Sequence, residues 1–181
     1  MKKTRKFLMA IFATMLPIAA AWADDVAKIG GIGYATLQEA LDAAHEMTGD
    51  VTVELLPSAT GYAIVHQKEG LNLTIDGKDN TFAGQIIVIG DGRLNGAETL
   101  TIQNVKFEGD KSNFYNGTDA FILVPSTSTA GTPYYNTSYH NHAHNITISN
   151  CSFTSTSTAE KPDVVAFKTN SGTDGTKTLL W

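Results

Sequence analysis

The sequence predicts an all-β chain, a right-handed parallel β-helix (a solenoid) with a short N-terminal capping α-helix, and three observations carry that expectation. Short β-branched strands recur with one signature: Leu73-Thr74-Ile75-Asp76-Gly77, Leu100-Thr101-Ile102-Gln103-Asn104 and Ile146-Thr147-Ile148-Ser149-Asn150. The last two continue alike, as Val105-Lys106-Phe107 and Cys151-Ser152-Phe153. One segment alone has helical periodicity, and it precedes the strands.

The 181-residue chain opens with Lys2, Lys3, Arg5 and Lys6, an uncharged run from Phe7 to Ala20, and Ala21-Trp22-Ala23. That order of basic, apolar and small-x-small segments is a secretory signal, so residues 1–23 are expected to be cleaved and the chain to be secreted or displayed at the cell surface. The apolar run is too short to span a bilayer, which needs about 20 residues, and no later segment is long enough. Four of the thirteen basic residues leave with the signal, so nine face eighteen acidic ones, a mature charge of −9. Such a surface repels phosphates, which argues against nucleic acid as a partner. Cys151 is the single cysteine, so no intrachain disulfide forms, and its apolar setting suggests a small buried hydrophobe rather than a nucleophile.

Residues 24–49 are read as a strand at Val26 to Ile29 and a capping helix. Leu37, Ala40, Leu41 and Ala44 lie at i, i+3, i+4 and i+7, one apolar stripe. Thr36 and Glu39 form a T-x-x-E cap, and the helix is expected to end near Gly49. Gly30, Gly31 and Gly33 mimic a dinucleotide-binding turn. However, the third glycine of that pattern would fall at Thr36, and no βαβ continuation follows.

Residues 50–181 are read as parallel β-helix coils. Val53, Ile75, Ile102 and Ile148 mark successive coils at steps of 22, 27 and 46 residues. The long third step requires an excursion, and residues 110–143, rich in Ser, Thr, Asn, Gly and Tyr, supply it as loops around the strand at Phe121 to Val124. Stacking should align the isoleucines in one inward ladder and Phe107 with Phe153 in another. Asn104 and Asn150 should stack at a corner, in a ladder that Gly77 interrupts. The helix can cover one end of the stack. The other runs out in Thr178-Leu179-Leu180-Trp181, so a C-terminally truncated solenoid, or an end covered by further coils or a partner, is expected.

Tyr34-Ala35-Thr36-Leu37-Gln38-Glu39-Ala40-Leu41-Asp42-Ala43-Ala44 followed by Gly49-Asp50-Val51-Thr52-Val53-Glu54-Leu55-Leu56 resembles the opening segment of bacterial secreted right-handed β-helix proteins of the pectin-lyase-like superfamily. The repeated strands are similar to that group's coils, and the likeness covers nearly the whole mature chain. It implies architecture more than activity, because the superfamily includes lyases, hydrolases, phage tailspikes and non-catalytic surface proteins. Bacterial origin also implies that the N-x-S/T matches at Asn72, Asn116, Asn136 and Asn145 reflect composition rather than glycosylation.

A lyase of this kind needs a base beside a uronate, with Ca²⁺ or cationic residues to neutralise the carboxylate. The mature chain has one arginine, Arg93, and Asp76, Asp79 and Asp91 read as turn formers before they read as a calcium site. No catalytic residue is assigned. The candidate metal ligands are His140, His142 and His144, which share a face if extended and could take Zn²⁺; no cofactor is required by the remainder of the chain. Tyr134, Tyr135 and Tyr139, with Phe114 and Tyr115, lie among amide and hydroxyl side chains; the plainer reading is that these rings anchor the long loop onto the side of the solenoid, and they are also the candidate contacts for a polysaccharide or surface glycan. The expectation is a scaffold or adhesion module that binds glycans through 110–143. The alternative is the N-terminal part of a polysaccharide lyase or glycoside hydrolase whose catalytic residues lie on later coils.

Overall fold

The computed structural model describes residues 25–90, 98–115, 118–125, 143–159 and 161–167. Its strands fall into two sheets. In the first, β10 (Ile146–Ser149), β7 (Leu100–Gln103), β5 (Leu71–Asp76), β3 (Gly49–Leu55), β1 (Ala27–Ile29) and β2 (Ile32–Tyr34) follow one another. The contacts from β3 to β10 are parallel, and the register is the one the repeats require. Val53 opposes Ile75, Ile75 opposes Ile102, and Ile102 opposes Ile148. Alternation turns these residues inward, while Thr52, Thr74, Thr101 and Thr147 form the outward row beside them.

The second sheet is built on β6 (Thr81–Gly90), whose long apolar run is buried on both faces. β4 (Ala59–Gln67) occupies one edge of β6 almost end to end, from Ala59 opposite Phe82 to Gln67 opposite Gly90. The other edge is shared. β8 (Lys106–Gly109) pairs at Thr81 and Phe82, and β9 (Ala120–Val124) pairs further along at Ile86 and Ile87. The sheet therefore forks. β11 (Ser152–Ser155) extends the β8 arm and β12 (Asp163–Phe167) the β9 arm, both in parallel.

The main core lies between the sheets and is closed by a cluster of aromatic rings. Phe82, Phe107 and Phe121 are buried, and Phe153 stacks flat on Phe107 with ring centroids 5.0 Å apart. A smaller apolar cluster, Ile64, Ile87, Ile89 and Leu123, lies on the outer face of the second sheet. Close approach makes two glycines obligatory: a Cβ on Gly84 would lie 1.6 Å from the Gly61 carbonyl oxygen, and one on Gly77 2.2 Å from that of Asn104.

α1 (Leu37–His45) buries Leu37, Ala40, Leu41 and Ala44 as the periodicity requires. Thr36 Oγ1 accepts from the Glu39 N–H at 3.1 Å, forming the Thr36 half of the expected cap. The helix packs against β1, β2, β3 and β4. Gln38 matches the backbone of β4, donating to the Ile64 carbonyl at 3.2 Å and accepting from the Ile64 N–H at 2.7 Å. The outer edge of β4 is thereby hydrogen-bonded by a side chain instead of a strand.

These features correct the expectation of an all-β right-handed parallel β-helix: the fold is mixed α/β, with, among the described residues, one α-helix packed against sheets that are parallel in part and mixed in part. β1 joins β3 antiparallel and β2 joins β1 antiparallel, so the first sheet is mixed. The second sheet forks, because β8 and β9 share one edge of β6, where a stack of coils would place one strand directly beside the next. The repeats encode which residues stand beside each other in neighbouring strands. They do not encode strand direction at Gly30 and Gly31 or the shared edge of β6.

The corner after the first sheet is a polar ladder in which Asp76 takes the place expected to be interrupted at Gly77. Asn104 Nδ2 donates to Asp76 Oδ1 at 3.0 Å, and Asn150 Nδ2 approaches Asn104 Oδ1 at 3.4 Å. Asn104 and Asn150 adopt φ of 54° and 51°, a left-handed turn that asparagine tolerates. Burial of the Asp76 carboxyl disfavours its charge. Hydrogen bonds from Asn104, the Lys78 backbone N–H, the Lys78 ammonium and Gln103 outweigh burial and hold it at about 2.

Candidate functional site

The most highly organised polar group on the second sheet is Gln85, fully buried on the outer side of β6. Its Nε2 donates to the Ala120 carbonyl at 2.6 Å and to Thr118 Oγ1 at 2.8 Å, and its Oε1 accepts from the Tyr115 N–H at 3.1 Å. Thr118 Oγ1 in turn lies 2.9 Å from the Tyr115 carbonyl. One amide thus anchors the connection between β8 and β9 at the point where the sheet forks.

That connection starts with a 3-10 turn at Lys111–Asn113. Asp110 caps it, accepting from the Ser112 N–H at 2.9 Å and from Thr156 Oγ1 at 3.1 Å. The Ser112 hydroxyl and N–H, with Thr156, keep the Asp110 carboxyl below its ordinary range. The two aromatics after the turn diverge. Phe114 enters the core against Phe121, with centroids 5.2 Å apart, whereas Tyr115 packs on the outer cluster of Ile64, Ile87, Ile89 and Leu123. Tyr62 stands beside Gln85 in the β4–β6 register, and its ring meets Tyr115 edge-on at 5.0 Å. Tyr62 remains 47 % exposed. A half-exposed ring is here held by a second ring whose backbone is fixed by a buried amide.

Of the residues singled out from sequence, Tyr134, Tyr135, Tyr139, His140 and His142 lie outside the described residues, as do Asp91, Arg93 and residues 1–23. His144 is described. The buried Gln67 clamps its backbone, donating to the His144 carbonyl at 2.6 Å and accepting from its N–H at 3.0 Å. The imidazole Nε2 lies 4.0 Å from Oε2 of Glu98, a carboxylate only 3 % exposed, whose Oε1 accepts from the Gly70 N–H at 3.3 Å. This His–carboxylate pair joins the turn after β4 to the starts of β7 and β10. Among the described residues, no three His, Cys, Asp or Glu side chains converge as a metal site. Lys78 bridges Asp76 and Glu54 at the polar corner, and Asp79 adopts φ of 61° in the same turn, in keeping with turn-forming roles. Cys151 is half-buried. Burial pushes its thiol up, and Sγ lies 3.3 Å from the Ser149 carbonyl oxygen.

Sequence reasoning passed over Tyr62, Glu98 and a stacked His45–His66 pair, whose ring centroids lie 5.2 Å apart in a shallow cleft with Asp42 and Glu46. Tyr62 carries a faint signal, a large aromatic at an outward position of an alternating strand. Glu98 and the paired histidines carry none, because their partners lie 21 to 46 residues away along the chain.

Fold and site together define a mixed α/β two-sheet domain with glutamine-clamped backbone and a braced tyrosine pair on its outer face. Compared with protein families, curated proteins and solved structures, the chain matches none.

Proposed function

We propose that this chain is an exported or cell-surface scaffold and adhesion module that contacts glycans from the outer face of its second sheet, where the 110–143 segment begins. The observation that carries this reading is the Tyr62–Tyr115 pair: an aromatic ring 47 % exposed yet braced in one orientation. Sugar rings stack on such faces through their C–H edges, and a pre-fixed ring loses little conformational freedom on binding. The export signal at residues 1–23 supports an extracytoplasmic setting.

The test is a glycan array probed with the purified chain, followed by titration of any hit against Tyr62→Ala. The variant is expected to lose about tenfold in affinity, in line with roughly 1.4 kcal/mol for one aromatic contact, while its melting temperature falls only by the few degrees that loss of the Tyr62–Tyr115 ring pair costs. An array without hits, or equal binding by the variant, defeats the proposal. An assay for unsaturated products on polyuronates runs beside it, and new absorbance would favour a lyase instead.

A further inference from the structure

The outward row of β4 continues past Tyr62. Alternation puts Ile64 and His66 on the same side, and His66 lies about 13 Å beyond Tyr62, four residues at about 3.3 Å each. One flank of α1 runs beside this row. Gln38, Asp42 and Glu46 share it at i, i+4 and i+8, and Gln38 fastens it to β4 at Ile64. Between helix and strand lies a cleft of about 170 Å³, with the buried Leu41 and Ile64 as its floor and His45, His66, Asp42 and Glu46 around them. That is room for one small ring, well below the clefts that enclose a drug-sized ligand.

The rings beside this cleft are fixed by bonds within the fold. The Lys68 ammonium donates to the His45 carbonyl at 2.7 Å, and the His45 ring stacks on His66 within 13° of parallel. His45 Nδ1 lies 3.3 Å from the His66 carbonyl oxygen. A carbonyl only accepts, so Nδ1 carries the proton and Nε2 of the neutral ring is left as an acceptor. Asp42 accepts from Gln38 Nε2 at 2.9 Å, whereas Glu46 is exposed and caps the helix through its backbone N–H. A flat pair of rings next to an imidazole nitrogen and a carboxylate suits a sugar, whose C–H edges meet ring faces and whose hydroxyls donate to the acceptors. Among the described residues lining the cleft there is no lysine or arginine, and the chain carries a net charge of −5, so an anionic sugar is repelled.

We infer that the cleft between α1 and β4 is a second subsite for the glycan that meets Tyr62, and that this ligand is an uncharged oligosaccharide lying along β4. The inference rests on the reading of Tyr62 as a glycan contact and adds length and charge to it. A single sugar ring does not reach from Tyr62 to His66, so a longer chain that occupies both positions gains affinity by linking two weak contacts.

Titration of the parent chain, Tyr62→Ala, Glu46→Ala and His45→Phe with neutral gluco-, manno- and xylo-oligosaccharides of increasing length, and with oligogalacturonates of the same lengths, tests this. Glu46→Ala leaves the backbone cap in place, and His45→Phe keeps a ring for stacking while removing the acceptor. For at least one neutral series, the parent's affinity should rise about tenfold or more from the single sugar to the length that spans both subsites, and both cleft variants should lose most of that gain. A parent whose affinity does not grow with length overturns the inference without recourse to any variant. So do cleft variants that gain as much as the parent; in either case, loss of binding by Tyr62→Ala leaves the Tyr62 contact standing. Oligogalacturonates bound as tightly as the neutral series overturn the assignment of an uncharged ligand. A parent that binds none of these sugars overturns this inference and the reading of Tyr62 together.

Discussion

Gln85→Met keeps the length and bulk of the side chain at the forked sheet but removes every hydrogen bond it makes. The wild-type amide is fully buried and serves the Tyr115 N–H, the Ala120 carbonyl and Thr118 Oγ1. Thr118 can rotate and still reach the Tyr115 carbonyl, so its loss is small. The two backbone groups have no such recourse, and each buried group left without its partner costs about 1–3 kcal/mol. Methionine recovers part of this through apolar burial, leaving a net loss of about 2–4 kcal/mol. Urea unfolding followed by circular dichroism reads it as a lower midpoint with an unchanged slope. Hydrogen exchange should also show faster exchange at Tyr115 than in β3 or β5, because the opening is local to the β8–β9 connection. A variant within about 0.5 kcal/mol of wild type, with Tyr115 equally protected, would refute the reasoning that this amide holds the fork together.

The Asp76 carboxyl is held at about 2, below its ordinary 3.8, so its stabilisation is complete above pH 4 and is lost as pH falls through 4 toward 2. The linked energy is about 1–2 kcal/mol once the exposure of its Lys78 partner is discounted, and urea midpoints for Asp76→Asn should lack this acid slope. Gly84→Ala drives a methyl into the Gly61 carbonyl and should cost about 3 kcal/mol or more, read as a lower melting temperature and unpairing of β4 from β6. Thr36→Ala removes the cap of α1 and should cost about 1 kcal/mol, whereas Thr36→Ser should retain most of it; a urea series on the three chains checks the order.

Much of the local structure was legible in the sequence because it depends on near neighbours. The stripe Leu37, Ala40, Leu41 and Ala44 dictated the helix and its buried face, since 3.6-residue periodicity is a local property. The recurring Leu-Thr-Ile and Ile-Thr-Ile strands dictated the alignment of Ile75, Ile102 and Ile148, because a slip of one residue would turn each apolar row to solvent. The stacking of Asn104 with Asn150 at the corner was similarly readable, whereas Cys151, expected to be buried, is only half-buried.

What tertiary structure alone decided depends on groups far apart in the chain. The antiparallel turn at Gly30 and Gly31 and the sharing of β6 by β8 and β9 made the fold mixed α/β instead of a solenoid, and no periodicity records which edge a strand will take. The partners of Gln38, Gln67 and Gln85 are backbone groups, whose donors and acceptors are the same at every residue, so nothing in the sequence marks them. Tyr62 was one exposed aromatic among several until folding placed it against Tyr115, 53 residues away. Residue order determined which faces must be buried and which residues must stand in line; only the closed fold determined which backbone groups each glutamine would serve and which tyrosine would remain at the surface.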